Sequence, residues 1–284
     1  MGYVDSHTHL WFPEALDAQV RERVYSITNV FHTPSPAETV AEMDRLDLDY
    51  VGIMAYPSRE LWGTREDFPI RLLRLCANYP DRFAVFGGID VRALAPQEVV
   101  REMEHQYEAG VSGFKLHPPH MWVKPNAYRE EEGGLRQLEL LYQFASDHKL
   151  PVVIHTGTSS FPRARNKYGD PVYVDDVSVD FPRLLVVMAH AGRPNWVQTA
   201  FQLVRIRSNV YTDISGIPPQ RLFDYLPRIE DISVKVLYGS DFGSPGVKSL
   251  EDNLKAVVAL PLSTEVKMTI LEGVPKRIMK PLAK

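Results

Sequence analysis

Short apolar runs punctuate this chain, and most are separated by stretches in which apolar residues recur every three or four positions. The runs are Tyr3–Thr8, Tyr50–Ala55, Phe83–Ile89, Val111–Leu116, Val152–His155, Leu184–His190, Val210–Ile214 and Val234–Tyr238, eight in all. Their richness in Val, Ile, Phe and Tyr predicts strands, and several are apolar throughout, as strands covered on both faces are. Between them, segments such as Glu98–Tyr107, Leu135–Asp147 and Trp196–Ile206 carry helical periodicity. Strands alternating with helices imply parallel strands joined by crossover helices. Eight such units without a linker predict a closed (β/α)8 TIM barrel, one domain spanning residues 1–284.

Local signals sharpen this outline. Ser35-Pro36-Ala37-Glu38 reads as a capping box with proline at the first helical position, just ahead of the second strand. Two connections are unusually long, residues 10–33 after the first strand and 118–134 after the fourth. Both lie on the strand-to-helix side, where barrel enzymes build their sites, so each is expected to form a lid or a substrate wall. Residues 249–284 read as two or three helices, the last barrel helix and a closing one.

Composition narrows the function class. The 284 residues are 44% hydrophobic and 24% charged, enough to bury a sizeable core. A net charge of −4 with scattered Lys and Arg argues against a nucleic-acid or membrane surface. The single cysteine, Cys76, excludes an intramolecular disulfide framework and sits in an amphipathic run as a core thiol. No apolar run approaches the roughly 20 residues that span a bilayer, and the first ten residues carry Asp5 and two histidines rather than a signal pattern. A cytoplasmic enzyme acting on a small molecule is the expectation.

The ionisable residues cluster at the carboxyl ends of the predicted strands. His7 and His9 close strand one, Lys115 and His117 strand four, His155 strand five, His190 strand six and Asp241 strand eight. Side chains alternate along a strand, so His7 with His9, and Lys115 with His117, share a side. Several neutral imidazoles and a carboxylate gathered in a low-dielectric mouth call for a cation, and borderline metals such as Zn2+ accept both donor types. A lone His-x-His is weak, but three further residues at matching strand ends are not. Lys115 stays open between bridging two metals, binding an anionic substrate and pairing with Asp241. His105 and His148 fall on solvated positions.

These motifs, Asp5-Ser-His7-Thr-His9, Gly113-Phe-Lys115-Leu-His117-Pro, Val153-Ile-His155-Thr-Gly, Ala189-His190-Ala-Gly and Tyr238-Gly-Ser-Asp241, resemble the amidohydrolase superfamily over nearly the whole chain. The similarity is to the amidohydrolase-related (amidohydrolase 2) branch, which includes aminocarboxymuconate semialdehyde decarboxylase and many TIM-barrel metal-dependent hydrolases. The resemblance implies His7, His9, His155 and Asp241 as metal ligands, with His190 acting on the substrate. In a two-metal centre, Lys115, carbamylated, and His190 join the ligands. It implies Zn2+, or another divalent ion such as Mn2+, Fe2+ or Co2+, in one or two copies, and a homodimer as the common assembly. The sequence departs from relatives at Gly273-Val274-Pro275 near the end and at Asn195, which separates Pro194 from Trp196.

The leading expectation is a hydrolase in which metal-activated water attacks the carbonyl of an ester, lactone or amide, with Asp241 moving the proton and His190 polarising the carbonyl. The alternative is a non-oxidative decarboxylase or hydratase using the same centre. For the substrate, His117 and Trp196 are candidate contacts, Arg163 and Arg165 candidate carboxylate clamps, and His120, Trp122 and Tyr168 a candidate aromatic wall.

Overall fold

The computed structural model describes residues 2–27 and 35–281; the far part of the first long connection, with His32, lies outside the described residues. Eight strands form one sheet in chain order, β1 (Tyr3–Thr8), β2 (Leu48–Met54), β3 (Phe83–Gly87), β4 (Gly113–Leu116), β5 (Val152–His155), β6 (Val186–Ala189), β7 (Val210–Asp213) and β8 (Val236–Leu237). Every neighbouring pair is parallel. The sheet closes where Ser6 N donates to Tyr238 O at 3.0 Å and Asp241 N to His7 O at 2.9 Å. The barrel expected from the alternating pattern is therefore present.

Alternation along the strands sorts their side chains into two cores. Val51, Ile53, Val85, Phe114, Leu116, Ile154 and Met188 face the surrounding helices. Ala84, Phe86, Val153, Val187, Ala189 and Leu237 fill the barrel interior, where Val274, Ile278 and Met279 of the closing helical segment also pack. That packing explains why the Gly273-Val274-Pro275 departure is structural. Val274 and Pro275 sit in a short helix, Val274–Ile278, continuing from a π turn at Thr269–Gly273.

The connections follow their local chemistry. Ser35 caps the helix Pro36–Arg45: its side chain accepts from Glu38 N while Glu38 reaches back to Ser35 N, so the capping box forms as read. Barrel helices Phe68–Cys76, Pro96–Ala109, Arg136–Asp147, Val172–Asp180 and Val197–Ile206 follow β2 to β6. Between β7 and β8 only short helical turns appear, such as Leu222–Tyr225. No helix among the described residues is long and apolar enough to cross a membrane.

One buried polar side chain ties a helix to the sheet. Gln106 accepts from Gly88 N at 3.0 Å and donates to Gly88 O at 3.0 Å and Glu66 O at 3.2 Å, with no solvent exposure. A buried amide left without its partner costs about 1–3 kcal/mol. Gln106→Ala strips both groups of Gly88, so we expect a loss of about 2–4 kcal/mol in denaturant unfolding, with the m-value unchanged.

Candidate metal centre

The carboxyl end of the barrel gathers a polar floor that is almost wholly shielded from solvent. His7, His9, Lys115, His155, His190, Asp213 and Asp241 are all buried. Lys115 and His155 arrive by strand parity: Phe114 and Leu116 face the helices while Val153 faces the barrel interior, and a register shift between Asp5 and Thr8 brings His7 inward out of step with Val4. His190 breaks that rule. Met188, two residues before it, packs toward the helices, and His190 adopts a left-handed φ of 68° just past β6, which turns its ring over the barrel mouth. Asp241 also has a positive φ, 63°. Such conformations are uncommon outside glycine and gather at functional sites.

The donors converge. Among the described residues, His7, His190 and Asp241 place one donor each within 4.8 Å of one another. His9 Nε2 stands 3.5 Å from Asp241 Oδ1. The His155 ring packs edge-on to His190 at 4.6 Å between centroids. So the tightest trio contains His190, with His9 and His155 beside it. Four buried atoms in this group have no hydrogen-bond partner: both nitrogens of His155, Nδ1 of His9 and Oδ1 of Asp241. A neutral imidazole offers one acceptor nitrogen, so a divalent cation beside Asp241 Oδ1 would satisfy that oxygen and one nitrogen of His155.

Electrostatics prepare the imidazoles for that role. Burial, reinforced by neighbouring positive groups, holds His9, His155 and His190 well below the usual histidine range. They are neutral at physiological pH, the form that binds metal. Burial also lowers the Lys115 amine to about 8, against the pull of Asp213 and Asp241. Lys115 Nζ lies 3.4 Å from His7 Nε2.

Asp213, which the sequence reading passed over, organises two of these histidines. Its Oδ2 pairs with His7 Nδ1 at 2.8 Å. Its Oδ1 accepts from His190 N at 2.9 Å, from Ser215 N at 3.0 Å and from the Ser215 hydroxyl. His190 Nδ1 in turn lies 2.9 Å from both the carbonyl and the hydroxyl oxygen of Ser215. Burial alone pushes the Asp213 carboxyl up, but His7, His190 and Ser215 outweigh it and hold the group far below the carboxylate range. With Nδ1 of both rings occupied, each Nε2 is the nitrogen left for the centre. The signal was present: Asp213 ends the seventh strand as the other site residues end theirs.

Above the floor opens a cavity of about 480 Å³, lined by the rings of Trp11, Tyr56, Trp62 and Phe161 and by Arg193, Gly216 and Ser244. His117 lines it too, stacked on His155 at 3.8 Å and on His120 at 3.4 Å. His120 is fixed behind it by Tyr56 Oη at 3.0 Å and Ser159 Oγ at 2.8 Å. The other expected substrate contacts lie elsewhere. Arg163 pairs with Glu60 at 2.8 Å, and Arg165 lies 4.2 Å over the Trp122 ring. Trp196 sits at the start of the helix Val197–Ile206. None of these, nor Tyr168, lines the cavity. Arg193 does, and the sequence reading gave it no role.

The family model described as amidohydrolase matches residues 4–279. The chain belongs to that family. No curated protein matches it. Among solved structures, it is similar to an uncharacterised TIM-barrel protein from Bordetella bronchiseptica, at 20% identity, covering 98% of both chains with a TM-score of 0.74. A 2,6-dihydroxybenzoate decarboxylase from Rhizobium shares 14% identity over 98% of each chain, with a TM-score of 0.68. A 5-carboxyvanillate decarboxylase from Novosphingobium aromaticivorans, in complex with manganese and 4-hydroxy-3-methoxy-5-nitrobenzoic acid, shares 15% identity over 98% of this chain and 95% of its own, with a TM-score of 0.59. At these identities the likeness establishes the fold.

Asp213→Asn removes the charge that orients His7 and His190 together. We expect divalent-ion affinity, read by competition with a chromophoric chelator, to fall about 10–100-fold, while unfolding stays cooperative. Unchanged affinity would show that the pair needs no such anchor.

Proposed function

We propose that this member of the amidohydrolase family is a metal-dependent lyase that decarboxylates a small carboxylated molecule. The observation that carries the metal is the set of unpartnered buried donors on His9, His155 and Asp241, all lining the cavity. His7 and His190, each with its Nδ1 occupied, complete the donor group. An imidazole-rich set with one carboxylate suits Zn2+ and equally Mn2+, Fe2+ or Co2+. Bound there, the ion supplies positive charge for the oxygens of the substrate.

The protein's own groups account for the remainder. The aromatic side of the cavity receives a flat body and excludes water. As the carbon–carbon bond to the carboxylate breaks, CO2 leaves and the electron pair stays on the substrate carbon. That carbon takes a proton from Asp241, whose carboxyl burial raises above its ordinary range. The aromatic wall and the two decarboxylases of the same fold support this reading over hydrolysis.

Hydrolysis of an ester, lactone or amide is the second reading, favoured by the same group of buried donors, since an ion held there would activate water. The two differ in product. A screen of aromatic acids, lactones and esters that follows CO2 and acid release separately distinguishes them. We expect CO2, loss of turnover on chelation, and recovery on adding Zn2+ or Mn2+. Asp241→Asn should lower kcat at least about 100-fold. One ion per chain by elemental analysis fits a mononuclear centre; two would assign Lys115 to a bridge; none after gentle purification would end the metal reading.

A further inference from the structure

The loops after β2 and β5 leave strands that have β3 and β4 between them, yet the two meet at the cavity wall. Trp62 of the first and Phe161 of the second both line the cavity, and their rings pack edge to face at 4.7 Å between centroids. Two residues further on, Arg163 grips Glu60 twice. Its Nη2 lies 2.8 Å from the Glu60 carboxylate, and its Nη1 donates to Glu60 O at 3.2 Å. The junction thus has an apolar half in the wall and an ionic half beside it.

Each loop has anchors of its own. In the β2 loop, Ser58 N donates to Thr64 Oγ1 and Trp62 N to Ser58 O, both at 2.9 Å, and the Trp62 ring packs on Trp11 at 5.3 Å, which leaves 2% of Trp62 exposed. The β5 loop is tied to the loop after β4 through Arg165 N to Pro119 O and Trp122 Nε1 to Arg163 O, both 2.9 Å. Between the two loops, by contrast, stand one ring contact and an ion pair whose side chains are 57% exposed for Arg163 and 52% for Glu60. An ion pair so open to water is worth little, and a single edge-to-face contact adds only modestly to it. The seam is therefore an edge of the wall that can part while both loops keep their anchors.

We infer that this seam is a gate, which parts to let a small molecule reach the floor of the barrel mouth and shuts to exclude water from it. Glu60 and Arg163 form its latch, and Trp62 and Phe161 are the rings that meet when it shuts. This rests on the cavity leading to the metal centre proposed above. An exposed ion pair breaks and re-forms readily and is screened by salt, so passage through the gate quickens as ionic strength rises. The alternative, that the seam is a fixed part of the wall, predicts passage indifferent to Glu60 and Arg163.

The rate at which excess pyridylazoresorcinol, a chromophoric chelator, strips zinc from the loaded full-length protein tests this. Glu60→Gln and Arg163→Gln are expected to speed removal about two- to fivefold, with equilibrium zinc affinity unchanged, because a gate alters entry and exit alike. Phe161→Ala should speed it at least about fivefold. Added NaCl should quicken the wild type more than Glu60→Gln. A second readout needs no metal: acrylamide quenching of the Trp62 emission, taken as the difference between proteins with and without Trp62→Phe, should rise in Glu60→Gln. If Phe161→Ala does not fold, the two latch variants, made at exposed side chains, decide. Removal and quenching that stay at wild-type values in the latch variants overturn the gate. Faster removal matched by weaker zinc affinity also overturns it, since the substitutions then disturb the centre and not the access. Protein that takes up no zinc yet shows the quenching change overturns the metal reading and supports the gate.

Discussion

The seam between β8 and β1 joins residues separated by more than two hundred positions, and it does so through backbone groups. Asp241 N donates to His7 O at 2.9 Å, and His9 N to Phe242 O at 2.6 Å. The Asp5 carboxylate adds a side-chain rivet, accepting from Ser240 N at 2.9 Å. Closure removes the two sheet edges that an open sheet would have to protect. It also places His7, His9 and Asp241 beside one another as a consequence of strand pairing. Opening the seam would dissolve the centre and the core together.

Desolvation is the second constraint that runs through the site. The barrel mouth takes several titratable groups out of water, and burial drives the histidines toward neutrality. Asp213 is the exception: it stays ionised because His7, His190 and Ser215 surround it. A charge so placed acts at a distance on the cavity, since it selects which nitrogen of His7 and His190 faces the open side. The arrangement therefore separates the carboxylate that holds Nδ1 of His7, Asp213, from the carboxylate that lines the cavity, Asp241.

The rim obeys different rules. Its arginines compete for partners that belong to loops. Arg163 is drawn to Glu60 after β2, and Arg165 stacks on Trp122 after β4. The first contact joins the loops after β2 and β5, the second the adjacent loops after β4 and β5. Arg193, just after β6, gives Nη1 to Thr158 O and lines the cavity.

The barrel and most of its floor were legible in the amino-acid order, because both depend on short-range pattern. Apolar runs give strands, helical periodicity gives crossovers, and a polar residue at a strand's carboxyl end in a barrel points to the mouth. His7, His9, Lys115, His155 and Asp241 all followed from that. His190 lay at the right strand end, yet its orientation comes from a left-handed backbone turn that parity does not anticipate. Asp213 was missed through its role beneath the histidines, which only packing reveals. Arg163, Arg165 and Arg193 are the same residue type within about thirty positions. Which of them reaches the cavity was decided by loop geometry and by a carbonyl at Thr158. Those are contacts between distant segments, and no local pattern encodes them.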